Sequence, residues 1–543
     1  MNINTHWRWY AAACGTLALA MLRAADVVQF TVRTTDDAGQ PLPARVLVRD
    51  EQGQAWLPPV ATTVNIGPDT WFAGAGHARL DVPAGRYLVV VERGPEYQPA
   101  RASVVLTGNT TREFRLQRWI DLAARGYRSG ENHLHVTGSM LPAMMAAEAL
   151  DFSTSLQWWN GPQWDAAYAA AAGAYTRFDA EIENSWGAVY CLGLTRPLPV
   201  AWNPARPNLA FVRAARADGA LICYQGGWSA EVLLDALLGY VDVVNVADNL
   251  FQRHKFMPRS RYSNLLGTAD LPVYPDTADG MLALTTESYY RLLNCGLRLA
   301  AGAGSATGVK SNPVGHNRAY VQVPPGAGIR EFLAAWREGR NFITNGPMVF
   351  LSVNGAAPGA TVDLPAGGGK LAVHVEAPSA DPLREVRIVV NGQVVAAGGN
   401  GSLDTTIDVR EGSWVCAMAV AEEPVPEADL ARYAQTSRLG GERPARLRFA
   451  HTSPVYVTVA GQAVRVARSV AEAQRILDAL AAFVQQTAAP EFQAETAEAI
   501  AAARTRLAQG GPFTAEWAPA APSANSATIP AAMKPMPTEM LDR

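Results

Sequence analysis

The stretch Ser129-Gly130-Glu131-Asn132-His133-Leu134-His135-Val136 contains two histidines separated by a single residue. On a β-strand, side chains two residues apart point to the same face, so His133 and His135 would present two imidazoles to one point. Neutral imidazoles are common ligands of zinc and iron. The pattern therefore leaves two interpretations open: a metal site, or two partly exposed strand histidines that alternate by coincidence.

The rest of the composition is that of a large globular protein. Of its 543 residues, 17% are charged and 49% are hydrophobic, and the formal net charge is −3. This length exceeds what one hydrophobic core serves, so several domains are expected. No stretch of basic residues favours a nucleic-acid partner. The five cysteines are scattered without a C-x-x-C motif, which predicts buried free thiols rather than a cysteine zinc site.

Residues 1–25 are typical of an export signal peptide, because Arg8 is followed by a short apolar run from Trp9 to Leu22. This run is too short to span a bilayer, and no integral membrane span is predicted beyond it. An ordinary N-terminal helix, or an uncleaved start that lies along a membrane, is the alternative. We therefore predict a periplasmic or secreted protein.

Residues 26–118 alternate apolar and polar side chains in short runs that turn residues interrupt, as in Val27–Val32 and Tyr87–Val91. This alternation predicts a small antiparallel β-sandwich. The segment Asp37–Val46 resembles the carboxypeptidase-regulatory-like, prealbumin-like fold. The resemblance implies a spacer or a lid without chemistry of its own, with glycan binding as the alternative.

Residues 119–350 alternate buried strand patterns, such as Leu221–Tyr224, with helical patterns, such as Leu209–Ala217. This rhythm predicts a parallel barrel or a doubly wound sheet, in which functional side chains follow the C-terminal ends of the strands. The candidates at those positions are His133, His135, Trp158, Trp159, Asn160, Glu181, Glu183, Tyr224, Trp228 and Asp248.

The C-terminal part of the chain is predicted to return to β-structure. Residues 351–460 are expected to form an Ig-like β-sandwich, with a hairpin whose turn is Asn391-Gly392. Residues 461–510 read as a hairpin of two amphipathic helices, Ser469–Gln486 and Glu491–Gln509. Residues 511–543 are rich in Ala, Pro and Ser and are predicted to be disordered.

The middle segment resembles the PHP (polymerase and histidinol phosphatase) superfamily, and within it the CehA/McbA-type metallohydrolases. The matching pieces are Ser129–His135, Tyr289–Gly296, Gly302–Ser305, Asn312–Val321 and Gly339–Pro347. The resemblance covers about residues 120–350. It implies a distorted (β/α)7 barrel that binds divalent metals at its strand ends and hydrolyses phosphoesters, or carbamates and other esters.

Several metal-ligand positions of that family are substituted in this chain. The stretch Leu156–Asn160 stands where the family has Asp-His, and Gly304-Ser305 is followed by Ala306 and Thr307 in place of Asp and His. Two further expected histidines are also missing, near Ala188 and at Tyr224-Gln225. His133, His135 and Glu181 remain. We therefore expect at most one tightly held divalent metal, Zn, Mn or Fe, on these three residues.

Two functions follow from this reduced site. One is an exported metal-dependent hydrolase in which Glu183 or Asp248 serves as the base. The other is a catalytically degenerate relative that binds a glycan or another surface ligand through its aromatic side chains. In either case the partner is a small-molecule or glycan ligand, and no oligomeric state is favoured. The candidate ligand-binding residues are Trp158, Trp159, Asn160, Tyr224, Trp228, Arg259, Arg261 and His316.

Overall fold

The structure, a computed structural model, describes residues 26–136, 138–154, 156–161, 176, 178–262, 265–435 and 441–514. The predicted signal segment, 1–25, and most of the predicted disordered tail, 511–543, lie outside these ranges. No helix within them is long and apolar enough to cross a membrane. The described fold is rich in β-structure and combines six sheets, several of them sandwich-like, with eight α-helices.

The N-terminal segment forms two sheets around a common core, in keeping with its alternating sequence. Its strands are β1 Val27–Thr35, β2 Ala44–Asp50, β3 Thr62–Ile66, β4 Asp69–Gly74, β5 His77–Pro83, β6 Gly85–Glu92, β7 Ala100–Leu106 and β8 Thr110–Arg115. One sheet has the order β5-β1-β8 and the other β3-β4-β2-β6-β7. The pairs are antiparallel as predicted, except that β1 and β8 are parallel. Phe30, Phe72 and Val89 are fully buried in the core.

The middle segment contains twelve strands and five helices. The strands are β9 Tyr127–Glu131, β10 Phe152–Ser153, β11 Trp158–Trp159, β12 Ala180–Asn184, β13 Gly187–Leu192, β14 Leu221–Tyr224, β15 Val243–Ala247, β16 Phe251–Gln252, β17 Lys255–Phe256, β18 Ala300–Ala303, β19 Arg318–Gln322 and β20 Asn341–Thr344. The helices are α1 Leu141–Ala147, α2 Leu209–Ala217, α3 Val232–Leu237, α4 Ala278–Asn294 and α5 Ile329–Arg337. Helix α2 has the predicted bounds.

The strands of the middle segment pair in a mixed rather than an all-parallel pattern. Their six-stranded sheet has the order β11-β12-β13-β14-β15-β18. Strand β13 is antiparallel to both of its neighbours, whereas the other pairs in this sheet are parallel. The reason is local, since only Ser185 and Trp186 separate β12 from β13, and a connection this short joins antiparallel strands.

The C-terminal segment adds β21 Phe350–Val353, β22 Thr361–Leu364, β23 Gly369–Glu376, β24 Leu383–Val390, β25 Gln393–Gly398, β26 Ser402–Val409, β27 Ser413–Glu422, α6 Glu427–Ala434, β28 Arg443–Pro444, β29 Leu447–Thr452 and β30 Val455–Val459. The predicted hairpin is observed between β24 and β25. Its turn residues Asn391 and Gly392 have φ values of 50° and 85°, the left-handed conformation that tight hairpin turns require.

One ten-stranded sheet crosses from the middle segment into the C-terminal segment. It contains the path β10-β9-β19-β20-β29-β27-β24-β25, with β22 and β30 alongside. Phe342 of β20 consequently shares a hydrophobic core with Val373 of β23 and Ile388 of β24. The two segments on either side of residue 350 are therefore joined by backbone hydrogen bonds and by a common core.

The final helices are α7 Ala467–Thr487 and α8 Pro490–Gln509, which form the predicted hairpin within one to two residues of the expected bounds. Their apolar residues belong to the same core as the six-stranded sheet. One specific contact is the edge-to-face packing of Phe483 on Trp186, with ring centroids 4.7 Å apart. The hairpin therefore covers the outside of the middle segment.

Buried ion pairs hold the N-terminal sandwich against the other two segments. Arg45 of β2 lies 2.5 Å from Glu92 of β6 and 2.5 Å from Glu148, which follows α1. Arg253 lies 3.1 Å from the same Glu92 and also pairs with Glu423, beyond β27. Charges removed from water need such partners, so this network fixes how the three segments dock.

Candidate metal centre

His133, His135 and Glu181 converge at one point. His133 Nε2 lies 3.1 Å from His135 Nε2 and 3.5 Å from Glu181 Oε1, and His135 Nε2 lies 2.9 Å from Glu181 Oε2. A tetrahedral zinc ion with bonds of about 2.0–2.1 Å separates its ligand atoms by about 3.3 Å. The three side chains therefore have a spacing that a shared metal ion would fit.

The backbone explains why the two histidines share a face. The stretch after β9 runs beside the loop that follows β18, where the Ala306 N–H donates to His133 O at 2.8 Å and the His135 N–H donates to Thr307 O at 2.9 Å. Leu134, between the histidines, is buried in a separate apolar cluster. The loop after β18 lies so close to the His133 backbone that a Cβ on Gly304 would be 2.4 Å from the His133 Cβ.

Tyr190 of β13 orients the first imidazole. Its hydroxyl lies 2.8 Å from His133 Nδ1, and both side chains are buried. When the Nδ1 proton is donated to the Tyr190 oxygen, the Nε2 lone pair faces Glu181 and His135. A partner on the second ring nitrogen is a common feature of metal-ligating histidines.

The electrostatics favour the protonation states that metal ligands need. Burial lowers the pKa of His133, despite the opposing effect of Glu181, so its imidazole is neutral at neutral pH. Burial alone would raise the pKa of Glu181, but the two neighbouring imidazoles outweigh it and lower the pKa to about 2. Glu181 Oε2 is buried, and His135 Nε2 is the ligand atom in contact with it. These residues therefore fit a divalent cation.

Glu183, Trp159 and Asn160 lie beside this centre. Glu183 is two residues beyond Glu181 on β12, and its Oε2 accepts a hydrogen bond from Trp159 Nε1 at 3.0 Å. The Trp159 ring packs against His135, with centroids 4.6 Å apart. Asn160 holds the backbone of Glu183 by two hydrogen bonds of 2.7 and 2.9 Å. Burial, followed by the negative charge of Glu181, raises the pKa of Glu183.

Asp248 is buried just beyond β15. Its Oδ1 accepts the Leu250 N–H at 3.0 Å, while its Oδ2 has no hydrogen-bond partner within the described ranges. Burial raises the pKa of Asp248 to about 8, so this carboxyl group is protonated at neutral pH. No described contact joins it to the three candidate ligands.

Three of the predicted aromatic residues lie away from the centre. Trp158 is buried on the opposite side of β11 from Trp159 and packs on Phe211, because neighbouring strand residues face opposite sides. The Tyr224 hydroxyl donates to Asp235 Oδ2 at 2.5 Å in the interior. Trp228 is buried in the same core. The structure thus assigns these three side chains to packing.

The predicted basic residues and His316 also lie elsewhere. Arg259 and Arg261 occur in a short 3-10 turn, Arg259–Tyr262. His316 lines a cavity of about 100 Å³ at the docking network, together with Arg318 and Arg448. None of the three lines the cavity beside His135.

Thr307 and Lys310 also lie beside this centre. The sequence placed Thr307 after a predicted strand end, and it left open whether Lys310 holds an anion or is surface charge. Both line a cavity of about 220 Å³ together with His135 and with Thr63, Val64 and Asn65 of the N-terminal strand β3. Thr307 stands in the stretch where the resemblance to the PHP superfamily implies an aspartate and a histidine ligand. Its proximity to the histidines depends on the pairing of the His133–His135 stretch with the loop after β18, which is a long-range contact.

Comparisons with known proteins do not classify the chain. No protein-family model matches it, and no curated protein matches it. A search of solved structures returns the N-terminal four Ig domains of Dscam1 isoform 8.4, with 8% identity, covering 80% of this chain and 73% of that one. The TM-score is 0.13, so this likeness carries no argument about fold or function.

Proposed function

We propose that this protein is a metal-dependent hydrolase of ester, carbamate or phosphoester bonds with one divalent cation at its centre. The observation that carries the proposal is the convergence of His133, His135 and Glu181, whose ligand atoms all lie within 4.8 Å of one another. Two imidazoles and one carboxylate form a ligand set of hydrolytic zinc sites, which keep one position open.

The chain's own residues would divide the chemistry between them. His133, His135 and Glu181 would bind the metal, and Tyr190 would hold His133 in place. The metal would supply Lewis acidity and make water nucleophilic near neutral pH. Glu183 lies on the same strand face as Glu181 and would accept the proton that the attacking water loses. Asp248 would not be the base, because burial raises its pKa to about 8 and no described contact joins it to the three ligands.

The PHP-like resemblance, including a distorted barrel, is part of this proposal. It is supported by contacts that link β18, at the edge of the six-stranded sheet, to residues of the ten-stranded sheet and of the stretch after β9. The Asn132 N–H donates to Ala303 O at 3.1 Å, and Asn341 Nδ2 donates to Ala301 O at 2.9 Å. We also propose export to the periplasm or medium, on the sequence of residues 1–25 alone.

The second candidate function is a metal-poor protein that binds a glycan or another surface ligand. The observation that favours it is Trp159, a half-buried aromatic ring beside the centre that could stack on a sugar. Trp158, Tyr224 and Trp228 give this candidate no support, because they are buried in the core.

Elemental analysis separates the two functions. We expect about one equivalent of divalent metal in the purified protein, and loss of it in the His133→Ala, His135→Ala double variant. His374→Ala is the matched control, because this exposed histidine on β23 contacts Asp404 and lies outside the centre. Sub-stoichiometric metal that all variants share would contradict the proposal. With metal bound, turnover of aryl esters and aryl phosphates then distinguishes a hydrolytic site from a structural ion.

A further inference from the structure

We propose that Lys310 and Thr307 form an anion-binding subsite next to the metal centre, and that the substrate carries a carboxylate or phosphate group there. This inference rests on the proposed function, because it assigns a substrate class to the same site. Its starting point is the cavity of about 220 Å³ that both residues line together with His135. A cavity of this size accommodates a small anion beside the ligand set.

Lys310 has no close ion-pair partner in the part of the chain that the structure describes. Its side chain is half-buried, and no described carboxylate lies within 4.0 Å of its ammonium group. Of the acidic groups around it, Glu442 pairs with Lys255 at 3.1 Å, and Glu183 accepts a hydrogen bond from Trp159. The third, Asp248, is kept protonated by its burial. A half-buried ammonium without a carboxylate in contact can bind an anionic ligand.

Thr307 provides a second, independent observation. It is only 1% exposed, and its hydroxyl oxygen has no hydrogen-bond partner within the part of the chain that the structure describes. Buried hydroxyl groups are normally satisfied, so an unsatisfied one on a cavity wall indicates a ligand or an ordered water. The backbone carbonyl of Thr307 is held by the His135 N–H at 2.9 Å, which keeps this hydroxyl beside the metal ligand.

The N-terminal sandwich contributes to this subsite. Thr63, Val64 and Asn65 of β3 line the same cavity as Lys310 and Thr307. The buried pairs of Arg45 with Glu92 and Glu148 hold this sandwich in place. The subsite therefore depends on the docking of the sandwich on the middle segment.

Calorimetric titration with inorganic phosphate, of the zinc-loaded and of the metal-free full-length protein, tests the inference. We expect Lys310→Met to weaken phosphate binding about tenfold or more, since a charge-assisted hydrogen bond is lost. Thr307→Val should weaken it about fivefold. Lys310→Arg keeps the charge and should retain most of the binding, and Lys370→Met, at an exposed lysine, is the matched control. Circular dichroism and melting curves verify that each variant is folded.

The outcomes distinguish a failed subsite from a failed function. If the protein does not take up zinc but binds phosphate in a way that depends on Lys310, the subsite is supported and the hydrolase is overturned. Zinc binding with ester turnover, but with equal phosphate affinity in the wild type and Lys310→Met, would overturn the subsite and leave the hydrolase. The absence of phosphate binding in the zinc-loaded wild type would also overturn the subsite.

Discussion

Replacing Tyr190 by phenylalanine tests the metal centre without touching a ligand. The change removes one hydroxyl group, which lies 2.8 Å from His133 Nδ1 in a buried environment. Because both groups are shielded from water, no solvent molecule can replace the lost bond. The imidazole then loses the contact that sets its tautomer and its ring orientation.

The expected magnitude follows from similar contacts in metalloproteins. Loss of a hydrogen bond to a metal-ligating histidine weakens metal affinity by about 10- to 100-fold, or about 1.4–2.7 kcal/mol. The same variant also loses the net stability of one buried hydrogen bond, about 1 kcal/mol. A control must therefore lose an equivalent hydroxyl group far from the centre.

Tyr289→Phe is that control. The Tyr289 hydroxyl is equally buried and donates to Leu299 O at 2.7 Å. Zinc affinity is measured by competition with a chromophoric chelator, and stability by urea denaturation of the metal-free proteins. We expect equal losses of stability, but weaker zinc binding only in Tyr190→Phe. Equal zinc affinity in the two variants would refute the assignment of His133 as a metal ligand held by Tyr190.

Three further predictions concern packing and charge. Because burial raises the pKa of Asp248 to about 8, stability should decrease as the pH rises from about 4 to 8, and Asp248→Asn should flatten this decrease in urea titrations. Trp158→Ala should cost about 3–5 kcal/mol as a core truncation, and the half-buried Trp159→Ala clearly less, in the same assay. Glu423→Gln should destabilise by about 3 kcal/mol because it leaves the buried Arg448 without its carboxylate partner and removes one of the two partners of Arg253, whereas Glu376→Gln, in an exposed pair with Arg125, should cost less than about 1 kcal/mol.

Local patterns anticipated much of the secondary structure. The alternation in Val27–Thr35 and the amphipathic periodicity of Ala467–Thr487 are properties of neighbouring residues, so they are readable from the sequence. The pairing of strands is different, because it joins residues far apart in the chain. The expected parallel rhythm missed the short turn between β12 and β13, and the boundary placed after residue 350 gave no sign of the ten-stranded sheet that crosses it.

The candidate site likewise combines features that the sequence predicts with features that depend on long-range contacts. The sequence by itself predicted that His133 and His135 share a face, because strand geometry has a period of two residues, whereas Glu181 was assigned as their partner only through the resemblance to the PHP superfamily. Only the tertiary structure decided that Trp159 faces the centre while Trp158 is buried in the core. It also brought Lys310 and a strand of the N-terminal sandwich to the same cavity. Periodicity assigns a side chain to one face of its own strand, whereas the opposing residues depend on docking between distant segments.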